Sequence, residues 1–265
     1  MPPGKLPELR RTSDNRNEYA AVLLYAPARW GKTNIIRTCP KPIVLATELG
    51  RTRGLQTLMD IDVPFIECPD IDTLHMAVAE LGRVPNKVQY QGEEFMTVVL
   101  DSLSATGELW LEGAKQIHGW DMIWDAGDGP RGIARKDPRQ AYPYVAEKGR
   151  QTAKIIMALP ANTLFIAREQ VVEEGQGKEK ITFWAPELPG QKLPRELPGW
   201  PDATLRGVWQ NGKRKVCTVT IARTVAGFRV PPKFNVPQYL NPDMGAIFQL
   251  TTGKKEALEI LTRKE

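Results

Sequence analysis

Ala26-Pro27-Ala28-Arg29-Trp30-Gly31-Lys32-Thr33 follows directly on the apolar run Ala20-Ala21-Val22-Leu23-Leu24-Tyr25. A buried strand turning abruptly into Gly-Lys-Thr is the pattern of a phosphate-binding loop. Backbone N–H groups of such a loop surround a phosphate, and the helix that follows offers its N-terminus to the anion. The lysine brings a point charge to the outer phosphates, and the threonine hydroxyl is a Mg²⁺ ligand. The sequence therefore assigns phosphate contact to Lys32 and metal ligation to Thr33. The other members of the predicted nucleotide-binding set are Ala26, Pro27, Ala28, Arg29, Trp30, Gly31 and Asn34. Ala26 stands where the usual pattern has its first glycine. Its methyl requires the chain to leave the strand without a positive φ. The alternative is a chance Gly-Lys-Thr in a surface turn.

The residues downstream supply the context that a phosphate loop needs. A short helix over Thr33 to Thr38 must stop at Cys39-Pro40-Lys41-Pro42, because proline excludes helical geometry from the residue before it. Ile43-Val44-Leu45-Ala46 is wholly apolar, as a buried parallel strand is. Val63 to Ile66 reads as the next strand. Asp70 or Asp72 caps a helix with Leu74, Ala77, Val78 and Leu81 on one face. Phe95 to Leu100 is another buried strand, and it delivers Asp101 and Ser102 at its end. A helix over Leu103 to about Ile117, a polar stretch from His118 to Tyr142, a helix near Pro143 to Leu159 and a strand Thr163 to Ala167 follow. Strands alternating with helices predict an α/β fold with a mostly parallel central sheet flanked by helices. Beyond a Pro- and Gly-rich stretch, Asn211-Gly212 between two alternating segments predicts a C-terminal β-hairpin extension.

Ligands of open α/β sheets bind outside the C-terminal ends of the strands. Asp101 is thus placed beside Thr33 as support for the metal. Glu48 ends the strand after the loop helix, where a carboxylate can accept a hydrogen bond from the attacking water. Its alternative role is to cap the strand or to pair with Arg51 or Arg53. Arg168, Glu169 and Gln170 end a further strand. Gln170 is a candidate sensor of the terminal phosphate, against simple solvation of a strand end. Arg223 and Arg229 are candidates for an arginine finger offered to a neighbouring subunit, with Arg229 assigned to the catalytic set beside Glu48 and Lys32. Surface solvation is the alternative for each.

Composition narrows the class less than the motif does. The chain has 265 residues, 42% hydrophobic and 25% charged, which suits a globular protein with a full core. No apolar stretch approaches membrane-spanning length, so no membrane association is expected. Cys39, Cys68 and Cys217 lack the paired spacing of a zinc or redox site, and a reducing cytoplasm is the simplest compartment. The net charge of +5 permits a nucleic-acid partner without requiring one. The expected organisation is a flexible N-terminal arm over 1–17, a core over 18–235 containing an inserted polar loop at 118–142, and a tail over 236–265 with one short helix.

The order of these pieces resembles a known family. A phosphate loop, a short helix, Lys41-Pro42-Ile43-Val44-Leu45-Ala46-Thr47-Glu48 and a strand ending Asp101-Ser102 are similar to phage-encoded RecA-like P-loop ATPases of the AAA nucleotide-binding group. Some of these act in single-strand annealing and recombination. Leu188-Pro189-Gly190-Gln191-Lys192 and Leu197-Pro198 add to the likeness, which runs over roughly residues 18 to 232. The resemblance implies ATP and Mg²⁺ as cofactors, single-stranded DNA as a partner, and a homo-oligomeric ring or filament. It also implies action in the infected host's cytoplasm, with a single-strand-binding protein as a possible partner. Three segments are candidates for DNA contact. His118 to Tyr142 mixes Trp120, Trp124 and Tyr142 with arginines and lysine, a combination suited to base stacking and backbone neutralisation. The others are Val171 to Lys180 and the hairpin tip Lys213-Arg214-Lys215. The competing readings are a nucleotide-dependent assembly module with weak or no hydrolysis, and a small-molecule phosphotransferase.

Overall fold

Alternating strand side chains divide the interior in two, with one apolar layer on each face of a central sheet. The computed structural model describes residues 18–48, 52–118, 141–174, 181–220, 223–231 and 234–263. The elements run β1 (Ala21–Ala26), β2 (Pro42–Ala46), β3 (Phe65–Glu67), α1 (Ile71–Leu81), β4 (Val88–Tyr90), β5 (Glu93–Phe95), β6 (Thr97–Asp101), α2 (Leu103–His118) and α3 (Ala141–Met157). They continue with β7 (Asn162–Glu174), β8 (Ile181–Pro186), α4 (Leu193–Glu196), β9 (Ala203–Gln210), β10 (Lys213–Cys217), β11 (Gly227–Phe228), β12 (Tyr239–Leu240), α5 (Met244–Thr251) and α6 (Ala257–Thr262).

The sheet order is β12-β10-β9-β1-β7-β6-β2-β3. From β9 to β3 every pairing is parallel. Such strands are covered on both faces and therefore read as continuous apolar runs. Leu23, Tyr25, Ile43, Leu45, Leu100 and Phe165 face one layer, where Leu74, Val78 and Leu81 of α1, Trp110 of α2 and Ile156 of α3 cover them. Val22, Leu24, Val44, Val99 and Leu164 face the other, against Ile35 and Ile36. The Asp70 carboxylate accepts the Thr73 N–H at 2.7 Å and caps α1, a contact worth about 1 kcal/mol.

Asn211 and Gly212 have φ of 51° and 74° at the β9–β10 turn, the paired left-handed geometry that Asn-Gly favours in tight hairpins. Other segments depart from expectation. The piece after the phosphate loop, Thr33–Thr38, is a 3-10 helix, ending at Cys39 in extended geometry before Pro40. A second 3-10 helix spans Thr52–Ile61. The strand placed at Thr163 to Ala167 runs on to Glu174, because β8 pairs with its extension.

The segment after 235 is no simple tail. β12 pairs with β10, and α5 precedes the expected short helix, which is α6. Met244, Ile247, Phe248, Leu250, Ala257 and Leu261 are buried in the layer that holds Ile35 and Ile36. The Thr38 hydroxyl accepts the Met244 N–H at 2.8 Å, tying α5 to the end of the loop's own helix. Residues 1–17, 119–140 and 175–180, which carry the expected arm, most of the polar loop and much of a second DNA-contact candidate, lie outside the described residues. Among the described residues no helix is long and apolar enough to cross a membrane.

Candidate nucleotide site

Parallel register brings the strand tips to one edge. Ala26 pairs with Arg168, and Asp101 with both Ala46 and Ile166. The loop after β1, the Thr47-Glu48 pair after β2, and Asp101 therefore share the crevice expected for ligands.

Ala26 is fully buried and its φ is not positive, so its methyl is tolerated as the sequence required. The reason lies on β9. A Cβ built on Gly207 would meet the Ala26 Cβ at 2.7 Å and the Trp30 Cε2 at 2.6 Å. Gly207 leaves the space that these two loop side chains fill. Trp30 is fully buried, and its Nε1 donates to the Val208 carbonyl at 3.0 Å. Its indole belongs to the core, so its side chain is not a nucleotide contact. The left-handed positions of the loop are Arg29, with φ 62°, and Gly31, with φ 95°.

Lys32 Nζ turns back into the loop and donates to the carbonyls of Ala26 at 3.0 Å and Pro27 at 2.9 Å. Burial lowers its pKa below that of an ordinary lysine, opposed by the carboxylates of Asp101, Glu169 and Glu48. The Thr33 hydroxyl donates to Asp101 Oδ2 at 2.9 Å. Burial pushes the Asp101 carboxyl up to about 6; the Thr33 hydrogen bond lowers it, Glu48 raises it and Lys32 lowers it. A hydroxyl and a buried carboxylate this close are an oxygen donor set that fits a hard divalent cation retaining most of its waters. Among the described residues no three His, Cys, Asp or Glu side chains gather to hold a metal alone. Gly54 lies close to this pair, since a Cβ there would stand 3.3 Å from the Thr33 hydroxyl.

Glu48 is held by a residue that the sequence reading did not single out. Ser102 Oγ donates to Glu48 Oε1 at 3.2 Å and accepts the Ala105 N–H at 3.2 Å. Thr47 Oγ1 donates to the Ser102 carbonyl at 2.8 Å, and Thr106 Oγ1 donates to Thr47 Oγ1 at 3.1 Å. These hydroxyls fasten the tip of β2 to the start of α2. The available signal was a Thr-Glu strand end facing an Asp-Ser strand end.

Other candidates are placed differently. Gln170 Nε2 donates to the carbonyls of Pro186 at 3.0 Å and Leu188 at 3.3 Å, which engages it with the chain at the end of β8. Its neighbour Glu169 pairs with Arg206 at 3.1 Å, and the Arg206 guanidinium lies 4.6 Å above the Trp184 ring. Arg168 pairs with Glu108 and Glu187. Asn34 Oδ1 accepts from Arg37 Nε at 2.6 Å. Arg229 lies at the opposite end of the sheet from its own phosphate loop. Its N–H donates to the Asp202 carbonyl at 2.9 Å, its guanidinium donates to the Gly199 carbonyl, and Asp202 accepts the N–H of Ala21 at the start of β1. Arg223 offers its carbonyl to the Trp184 N–H at 2.6 Å.

A family model described as an AAA domain matches residues 18–230. Among solved structures, the crystal structure of the RadB recombinase is similar, with a TM-score of 0.39 and 14% identity over 75% of this chain and 79% of that one. No curated protein matches the chain.

Proposed function

From the premise that this chain belongs to the AAA domain family, matched over residues 18–230, we propose that it binds and hydrolyses ATP with Mg²⁺. The observation that carries this reading is the 2.9 Å contact between Thr33 and Asp101 beside a lysine folded into its own loop. Lys32 would exchange the Ala26 and Pro27 carbonyls for phosphate oxygens, keeping its charge on the loop axis. Thr33 and Asp101 would hold the cation, which neutralises charge developing on the phosphates. Glu48, positioned by Ser102, orients the water for in-line attack. Gly207 makes room for Ala26, which supports a phosphate loop that keeps its shape without the first glycine.

The same proposal extends to the partners implied by the sequence resemblance. ATP binding is coupled to a homo-oligomeric ring or filament and to single-stranded DNA, in phage-type recombination, annealing or replication. Arg229 serves a neighbouring subunit's site, which accords with its distance from its own loop. Gln170, which donates to the Pro186 and Leu188 carbonyls, would sense the terminal phosphate from β7. The test is ATP turnover measured with and without single-stranded DNA. Turnover stimulated by DNA and lost in Lys32→Ala and Glu48→Gln supports the reading. Turnover indifferent to DNA removes the DNA half, and absence of Mg²⁺-dependent ATP binding removes the whole.

A further inference from the structure

The hairpin between β9 and β10 puts a second cation on the phosphate loop. A Cβ built on Gly31 would stand 2.5 Å from Arg214 Nη1, so the guanidinium occupies the space left by the missing side chain. Gly31 can leave that space because its φ of 95° suits glycine. Arg214 is half-buried and, among the described residues, has no hydrogen-bond or ion-pair acceptor. Nearby cations do have partners. Arg206 pairs with Glu169, Lys215 donates to Asn241 Oδ1, and Lys213 is also engaged. A partly desolvated guanidinium without an acceptor is costly unless an anion completes it.

The hairpin is built to hold this position. Arg214 pairs directly with Trp209, which lies on the same face of β9 as Gly207. That face is where Trp30 packs, and the Trp30 indole donates to Val208. The strand pair and the phosphate loop are thus joined through Trp30. The guanidinium offers a planar fork that matches two phosphate oxygens.

We propose that Arg214 is a phosphate ligand acting within its own subunit, closing the β9–β10 hairpin over a nucleoside triphosphate held on the loop. This rests on the nucleotide reading of the same site. The ligand class is a nucleoside polyphosphate, and binding pins the hairpin against Gly31. The residue differs in placement from Arg229, which faces away from its own loop.

The test is calorimetric titration of the full chain with a non-hydrolysable ATP analogue and Mg²⁺, comparing wild type, Lys32→Ala, Arg214→Ala and Arg214→Lys. Thermal melts confirm folding. The expected result is about a tenfold or greater loss of affinity in Arg214→Ala and a smaller loss in Arg214→Lys, which keeps charge without the fork. Hydrogen exchange at residues 210–214 should slow on analogue binding in wild type and not in Arg214→Ala. Wild-type affinity in Arg214→Ala, with binding lost in Lys32→Ala, overturns the proposal and leaves the nucleotide reading intact. Failure of wild type to bind removes that reading itself. Recovery of tight binding on mixing Lys32→Ala with Arg214→Ala would show that the arginine reaches a neighbour's loop, and would overturn action within one subunit.

Discussion

The Thr33 hydroxyl donates to the Asp101 carboxylate across 2.9 Å, bridging the phosphate loop and the tip of β6. Sixty-eight positions separate the two in the chain, and only the parallel sheet brings them together. A buried carboxylate raised to about 6 is energetically unfavourable when charged and without a cation. Its folded-state value exceeds the unfolded one, so the folded chain binds the extra proton. Lowering the pH from 7 through about 6 toward the ordinary aspartate range therefore adds stability from this group. Asp101→Asn is expected to raise the melting temperature of the metal-free protein at pH 7 relative to wild type. That advantage should vanish near pH 4. Melts across this range, with chelator present, check both directions. An advantage independent of pH would contradict the assignment.

Trp30 and Gly207 form a second pair with a measurable consequence. A Cβ at Gly207 would overlap the indole at 2.6 Å, so Gly207→Ala should destabilise the fold by about 1–3 kcal/mol through overpacking. Trp30→Ala should cost about 3–5 kcal/mol, since it empties a fully buried site and removes the bond to Val208. Because Ala26 also touches that space, Ala26→Gly in the Gly207→Ala background should recover part of the loss. Denaturant unfolding of the double-mutant cycle measures the coupling. Strict additivity would refute the shared packing.

The C-terminal region should prove integral to the fold. Phe248 and Ile247 of α5 are buried against the layer containing Ile35 and Ile36. Phe248→Ala is expected to cost about 3–5 kcal/mol, and a chain ending at 235 should fail to fold cooperatively. Circular dichroism melts of both test this. A cooperative melt of the truncated chain at wild-type temperature would show that the segment is dispensable.

The central sheet was legible because buried parallel strands announce themselves as short apolar runs between breakers. The placement of Gly31-Lys32-Thr33, Glu48 and Asp101 at one edge of the sheet was legible because each follows or ends a predicted strand. α5 was not, since its apolar residues occur almost all round and give no amphipathic period; only Asp243, whose carboxylate accepts the Ala246 N–H, marks its start. β8 pairs with the neighbouring extension of β7, Glu174 opposite Ile181, and escapes a reading that takes Val171 to Lys180 as a loop and so leaves it no strand to pair with. Trp30 was read as a loop residue, yet what decides its position is an absent side chain on β9. Ser102 was legible as a strand end but not as a partner of Glu48, because a serine after a strand has several ordinary uses and the contact crosses from one strand tip to another.

Ser102 offers the sharpest separation between binding and turnover. Its hydroxyl donates to Glu48 and accepts the Ala105 N–H at the first turn of α2. Removing it frees the carboxylate to sample other positions and deletes a helix cap, two effects with different readouts. The cap loss should appear as about 1 kcal/mol in unfolding. The loosened carboxylate should appear as a fall of about tenfold in kcat with KM nearly unchanged, because water is misplaced only in the reacting complex. Glu48→Gln should lower kcat much further while retaining ATP-analogue affinity, since the amide preserves shape and loses the basic oxygen. Ser102→Asp keeps an acceptor able to cap α2 but has no donor for Glu48, and so separates the cap from the contact with Glu48. Steady-state ATPase kinetics with unfolding curves on all three variants decide the matter. A Ser102→Ala enzyme with wild-type kcat would mean that the serine serves the helix alone.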